Sequence, residues 1–303
     1  MTRNDPRRGA VLVAVLWSIS LLAALAMAAS VTFRSFTGVM SVDRHRVERD
    51  ALITAGLEVA AGEMLNGATM LRDLELTANL ATGSVRARLN DEGGRIDITK
   101  APAEVLAALL RSVGAPPATA GSAANAIVEQ RGNSNANTNA NANTNTNTNT
   151  NAARRAPVPP PAPVPTTHEQ ALAGIGRVAG MRAQWLAAIA PLTTIYGSDT
   201  VNPLTAPRGV IAALPGVDAA KLEAFLAERR AAPSDDASRL SQMLGPAQRF
   251  VMVKPQRVAA VDLIATMAEG PGAAARAVIT VLPQDSDPYR VLVFTPMPAT
   301  GLR

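Results

Sequence analysis

Residues 9–33 form an unbroken apolar run, GAVLVAVLWSISLLAALAMAASVTF, without one charge. As an α-helix this run spans about 37 Å at about 1.5 Å per residue, more than the roughly 30 Å of a bilayer's hydrocarbon core. The pattern then changes. Ile53, Leu57, Ala60, Ala61 and Met64 recur at three- and four-residue steps, while Arg44, Arg46, Glu48, Arg49, Asp50 and Glu63 fall elsewhere on the helix surface. No proline occurs between Arg7 and Ala101, so the pattern predicts one helix from about Ala10 to about Asn66. Its first half is suited to lipid, and its second lays one stripe on a domain.

Short β-type runs occupy residues 84–89, 250–253, 258–265, 275–282 and 289–295. Asp91-Glu92-Gly93-Gly94, Lys254-Pro255, Glu269-Gly270-Pro271-Gly272 and the segment 283–288 separate them as turns. Together they predict one small antiparallel sheet drawn from both sides of a helical middle region.

That middle region repeats itself at an offset of 105 residues. Ile96-Asp97 followed by Ala101-Pro102-Ala103-Glu104-Val105-Leu106 corresponds to Val201-Asn202 followed by Ala206-Pro207-Arg208-Gly209-Val210-Ile211. Each copy reads as an extended piece, a polar cap, proline in the first helical turn and a short apolar helix. After the second copy, Leu214-Pro215-Gly216-Val217 and a capping Asp218 lead into a helix over 219–230, a helix-hairpin-helix shape. Ala171-Leu172-Ala173-Gly174-Ile175-Gly176 before a helix over 181–190 suggests another. Between the repeats, Asn stands at every second position from Asn133 to Asn151, and six prolines follow within residues 157–165. Neither stretch carries the apolar residues that would offset the entropy of ordering, so 132–166 reads as a disordered loop.

Composition narrows the chemistry. The chain has 303 residues, 48% hydrophobic, with 5 Phe, 2 Trp and 2 Tyr, so its cores must be built from aliphatic side chains and alanine. A net charge of +5 is too dilute for a nucleic-acid footprint. Without cysteine there is no disulfide framework, thiolate nucleophile or cysteine-type zinc site, and the 2 histidines, His45 and His168, stand far apart. No hydrolase, metalloprotease or phosphate-loop motif is present, so no catalytic or cofactor-binding residue is assigned and no enzyme activity is expected. Acid pairs at Asp91-Glu92, Asp235-Asp236 and Asp285 with Asp287 read as solvated turns, with calcium an open possibility on their oxygen ligands.

The leader and the middle region resemble a known family. Arg3, Arg7 and Arg8 before the apolar run place the amino terminus in the cytoplasm. Arg7-Arg8-Gly9 followed by Ala10-Val11-Leu12 resembles a prepilin peptidase site, with cleavage between Gly9 and Ala10. Val201-Asn202-Pro203-Leu204-Thr205-Ala206-Pro207 through Leu214-Pro215-Gly216 is similar to the inserted helical domain of the type II secretion minor pseudopilin K family. Gly94-Arg95-Ile96-Asp97 and the segment from His168 to Tyr196 match that domain too. Two positions depart from the usual pilin pattern: Ala10 stands where Phe or Met is usual, and Ala14 where most pilins carry Glu. In a filament that carboxylate is tolerable in lipid because it pairs with a neighbouring subunit's amine. A subunit with no neighbour above it has no such amine to meet.

The resemblance implies an α+β fold, a type IV pilin-like long helix on a small antiparallel sheet with a large inserted α-helical domain of the helix-hairpin-helix, SAM-like kind. The expected organisation is a leader at 1–9, a transmembrane half-helix at 10–33 and an amphipathic helix with first strands at 34–95. The helical insert follows at 96–249 and the remaining strands at 250–303. It further implies a single-pass inner-membrane protein with a periplasmic domain, at the tip of the pseudopilus that exports folded proteins. The implied partners are minor pseudopilins I and J, the major pseudopilin and prepilin peptidase, with no nucleic acid. Two other readings stay open: Ala26-Met27-Ala28 fits a signal-peptide cleavage site, and Gly174-Ile175-Gly176-Arg177 fits a membrane-anchored periplasmic DNA receptor that grips phosphate through a hairpin.

Overall fold

The computed structural model describes residues 7–67, 74–143, 165–231, 237–253 and 257–298, without side chains at 7–12, 29, 31–42, 133–143 and 237. Helix α1 (Arg7–Leu65) is continuous through both halves of the expected helix. It ends where Gly67 adopts φ +73°, a left-handed conformation that glycine reaches without a Cβ clash. The expected stripe is the buried one: Ile53, Leu57, Ala60, Ala61 and Met64 are all sequestered, and Leu52 joins them.

That stripe lies on a five-stranded antiparallel sheet of order β1-β2-β5-β6-β7. The strands are β1 (Leu74–Leu80), β2 (Gly83–Asp91), β5 (Val258–Met267), β6 (Ala273–Val281) and β7 (Tyr289–Met297). The face toward α1 is aliphatic, with Val85, Ala87 and Leu89 on β2, Val261, Leu263 and Ala265 on β5, and Ala275, Ala277 and Ile279 on β6. Alternation puts polar side chains on the other face. There the pairings Glu75↔Arg88, Arg88↔Asp262 and Asp262↔Arg276 set alternating charges across four strands, and Arg276 meets Asp262 at 3.1 Å. Gly56 lets α1 come close: a Cβ there would stand 2.6 Å from Leu263 Cδ2 and 2.8 Å from Val85 Cγ2.

Four of the five expected strands are present, as β2, β5, β6 and β7. The run 250–253 is not a strand. Phe250 ends a 3-10 turn (Gly245–Phe250), and Val251 makes one parallel bridge to Val201. Both side chains are needed in the helical core, so they do not alternate across a sheet. Strand β1, which the sequence reading did not include, forms the edge beside β2, with Leu74, Leu76 and Ala78 packed against the core under α1.

Between β2 and β5 the chain builds a helical insert with its own core. Its elements are β3 (Ile96–Asp97), α2 (Ala103–Ser112), α3 (Pro117–Asn143), α4 (His168–Gly176), α5 (Ala183–Ile189), β4 (Thr193–Thr194), α6 (Arg208–Ala212), α7 (Ala219–Ala231) and α8 (Ala237–Met243). The core runs in sequence from Ile96 to Val251, with Phe225, Ile211, Leu109, Leu240 and Leu244 fully enclosed.

The 105-residue repeat is real in three dimensions. The Asp97 carboxylate accepts from the Thr99 amide at 2.8 Å and the Asn202 side-chain oxygen from the Leu204 amide at 3.2 Å, so both copies make the same Asx turn. The Ala101 and Ala206 amides then donate to the Asp97 and Asn202 carbonyls. A following helix returns an arginine to each copy: Arg131 of α3 donates to the Ala101 carbonyl at 2.9 Å and Arg229 of α7 to the Ala206 carbonyl at 2.6 Å. One expectation is corrected. Pro102 and Pro207 occupy the N-cap positions, without side-chain caps, because the polar residues before them are spent on the Asx turns. A second correction concerns 132–166: α3 carries its helix through Asn143, since adding residues to a nucleated helix costs far less than starting one. The rest of the Asn- and Pro-rich segment, 144–164, lies outside the described residues.

Candidate functional site

Three places carry the functional expectations. The first is the amino-terminal half of α1. Gly9, Ala10 and Ala14 all lie within the helix, which begins at Arg7, ahead of the expected start at Ala10. Between residues 13 and 28 every side chain is exposed, Trp17 and Met27 at 74% each, and Ala14 is exposed with them. The two hydroxyls there are satisfied within the helix, Ser18 donating to the Ala14 carbonyl at 2.8 Å and Ser20 to the Leu16 carbonyl at 2.9 Å. A polar group in hydrocarbon needs such an internal partner. Residues 13–28 are the apolar stretch of α1 described with side chains, and among the described residues no helix is by itself long and apolar enough to cross a membrane. Cover from the sheet reaches α1 near His45, whose ring lies against the β5–β6 turn at Gly270.

The second place is the set of helical hairpins. Gly174 and Gly176 are inside α4, and the left-handed turn residue of that hairpin is Gly180, φ +83°. The Gly-x-Gly pair therefore belongs to the end of α4 and not to the turn that reverses the chain. At the α6–α7 hairpin the Asp218 side chain accepts the Lys221 amide at 2.8 Å and caps α7. Its carboxyl is held below its ordinary value chiefly by that backbone bond. A phosphate approaching the same helix end would meet a fixed negative charge. The α2–α3 hairpin enters α3 through Pro116-Pro117, two residues with no N–H to offer.

The third place is the junction between sheet and insert, where a turn expected to be solvated is buried. Asp91 is 6% exposed and Glu92 3%. Asp91 Oδ1 accepts from the Gly93 amide at 2.9 Å, while Oδ2 takes the Thr205 hydroxyl at 2.6 Å and the Asn202 side-chain amide at 3.1 Å. The Thr194 hydroxyl donates to Glu92 Oε2, and Arg95 pairs with Glu92 Oε1 at 3.1 Å. Burial pushes both carboxyls above their ordinary values, against the opposing pull of these donors and, at Glu92, of Arg95. Nearby, Asp97 accepts from Thr99 and from Lys100 at 3.0 Å, and His168 meets the Thr193 hydroxyl at 2.9 Å. Burial first, and Arg95 second, hold His168 below its ordinary value.

Asn202 and Thr205 are the residues of this site that sequence reasoning did not single out. They stand in the quoted repeat, but nothing local announces a partner more than a hundred positions away. The carboxylates here accept hydrogen bonds, and among the described residues no three or more of His, Cys, Asp and Glu gather so that they could hold a metal ion. Of the other acid pairs, Asp285 is engaged by Arg290 at 2.7 Å, and Asp235-Asp236 lies outside the described residues.

No protein-family model matches the chain, and no curated protein does. Among solved structures the chain is similar to one chain of the GspK-GspI-GspJ complex of the type 2 secretion system from enterotoxigenic Escherichia coli. The two share 14% identity with a TM-score of 0.49, over 84% of this chain and 99% of that one.

Proposed function

We propose that the chain is a membrane-anchored minor pseudopilin of the K type, a structural subunit of type II secretion that caps and initiates a short periplasmic pseudopilus. The observation that carries this reading is the division of α1: one unbroken helix is uncovered at residues 13–28, within its apolar run, and seated on a sheet by its second half. A folded domain has no use for sixteen consecutive exposed positions of that composition, whereas lipid and neighbouring helices do. Arg7-Arg8-Gly9 before Ala10 supplies a processing site, and Ala23, Ala24, Ala26 and Ala28 allow close helix approach. Ala14 leaves no intramembrane carboxylate in need of a neighbour's amine, which suits a subunit with nothing above it. The proposed partners are minor pseudopilins I and J, the major pseudopilin below them, and the prepilin peptidase.

The test is the amino-terminal sequence and intact mass of the protein matured in cells with and without prepilin peptidase. A peptidase-dependent start at Ala10 is expected. A start near Ala29 in both strains would overturn the reading and make the protein a soluble exported one.

A further inference from the structure

The sheet with α1 and the helical insert have separate cores. No residue of the cluster from Leu52 to Val281 is also in the cluster from Ile96 to Val251. The chain crosses between these bodies at 92–95 and again after Val251. What meets at the first crossing is polar. Asp91, the last residue of β2, reaches across to Asn202 and Thr205, while Glu92 takes Thr194, all five being buried. The Asn202 amide returns a bond to the Gly93 carbonyl at 2.8 Å. The approach is close enough that a Cβ on Gly94 would lie 2.9 Å from the Thr205 carbonyl carbon and 3.0 Å from the Ala206 amide nitrogen.

A junction of this kind behaves unlike an apolar one. Apolar contact is non-directional and tolerates small rotations, whereas a carboxylate shared by a hydroxyl and a side-chain amide holds one orientation. When its geometry is lost, the buried donors are left without acceptors, so it is made or broken as a unit. Bodies with separate cores and a polar contact move relative to one another by default.

We propose that Asp91, with Asn202 and Thr205, is a clasp that fixes the helical insert on the sheet, and that the insert is a hinged body which pivots about Gly93-Gly94 when the clasp opens. The device needs no change within either core. It gives the fold two arrangements, one held and one free, that differ at a handful of hydrogen bonds.

The chain contains no cysteine, so spin labels attach only where cysteines are introduced. One pair, Thr266→Cys with Ala224→Cys, spans the sheet and the insert; a second, Ala187→Cys with Ala224→Cys, lies within the insert, and all three positions are exposed. Distances are measured by pulsed dipolar spectroscopy on the full chain in lipid nanodiscs, unaltered and with Asp91→Ala or Thr205→Val. The unaltered chain should give one narrow distribution for each pair. Both variants should broaden the spanning pair and leave the insert pair narrow, Asp91→Ala more than Thr205→Val, which keeps the carboxylate and its other donors. A spanning distribution that is already broad in the unaltered chain, or that stays narrow in both variants, would overturn the clasp. If Asp91→Ala broadens both pairs, Thr205→Val decides by the same criterion. Broadening of both pairs in both variants would show one cooperative body and no hinge.

Discussion

Seating α1 on the sheet depends on the absence of a side chain at Gly56, and this can be tested against a glycine in the same helix. A methyl group at Gly56 would collide with Leu263 Cδ2 and Val85 Cγ2, whereas one at Gly62 would meet nothing within 4 Å. Both Leu263 and Val85 are enclosed and β-branched Val85 has little rotamer freedom, so neither yields cheaply. Replacing glycine by alanine inside a helix is worth about 1 kcal/mol of added stability. Overpacking a closed core costs about 1–3 kcal/mol. Gly62→Ala should therefore stabilise the sheet body by about 1 kcal/mol, and Gly56→Ala should be neutral or destabilise it by up to about 2 kcal/mol, the difference of the two terms. Trp17 and Trp185 both lie outside the sheet body, so the assay is hydrogen exchange of β2 and β5 amides read by mass spectrometry of the full chain in nanodiscs. Equal stabilisation by the two substitutions would refute the close approach of helix to sheet.

Three further outcomes are expected. Phe225→Ala removes a fully enclosed ring from the insert and should cost about 3–5 kcal/mol there, read by Trp185 fluorescence; equal loss of protection in β5 would refute the separation of the cores. For Asp91 and Glu92, raised folded pKa values mean that the folded chain keeps protons the unfolded chain has released, so stability falls as pH rises from the ordinary 3.8 and 4.5 through the raised values. His168 acts in the opposite sense: the unfolded chain binds its proton first, so stability falls as pH drops below 6.5. Denaturant titrations of His168→Gln and Asp91→Asn from pH 4 to 8 should each lose the matching slope. Finally, the full chain should show no salt-sensitive binding to duplex DNA at low ionic strength, with no effect of altering Gly174, Gly176 or Arg177; binding abolished by those changes would restore the phosphate-gripping reading.

Much of the architecture is local in origin and was legible. The long helix follows from the absence of proline and from a three- and four-residue apolar period, and the strands β2, β5, β6 and β7 from alternation between turn signals. The 105-residue repeat could be seen because its Asx turns and Ala-Pro helix starts are built from neighbours in sequence. β1, which the sequence reading did not include, carries the same signal in its alternation of Leu74, Leu76 and Ala78 with Glu75 and Thr77. The error at 250–253 has another origin, since a four-residue apolar run is the same whether it alternates across a sheet or turns two side chains into a helical core.

Features set by spacing along the chain could be read without the fold: the long helix with its buried stripe, four of the five strands of the sheet, and the repeated turn-and-helix units of the insert. Pairing between distant segments, by contrast, is settled in three dimensions. Asp91-Glu92 has the composition of a solvated turn and is buried because Thr194, Asn202 and Thr205, brought up by the folding of the insert, supply the donors its carboxylates need. Gly174-Ile175-Gly176 has the composition of a phosphate loop and is helical, because the turn that reverses the chain falls at Gly180. In both cases the residue types are compatible with either outcome. The choice was made by hydrogen-bond partners and backbone conformation that no local spacing encodes.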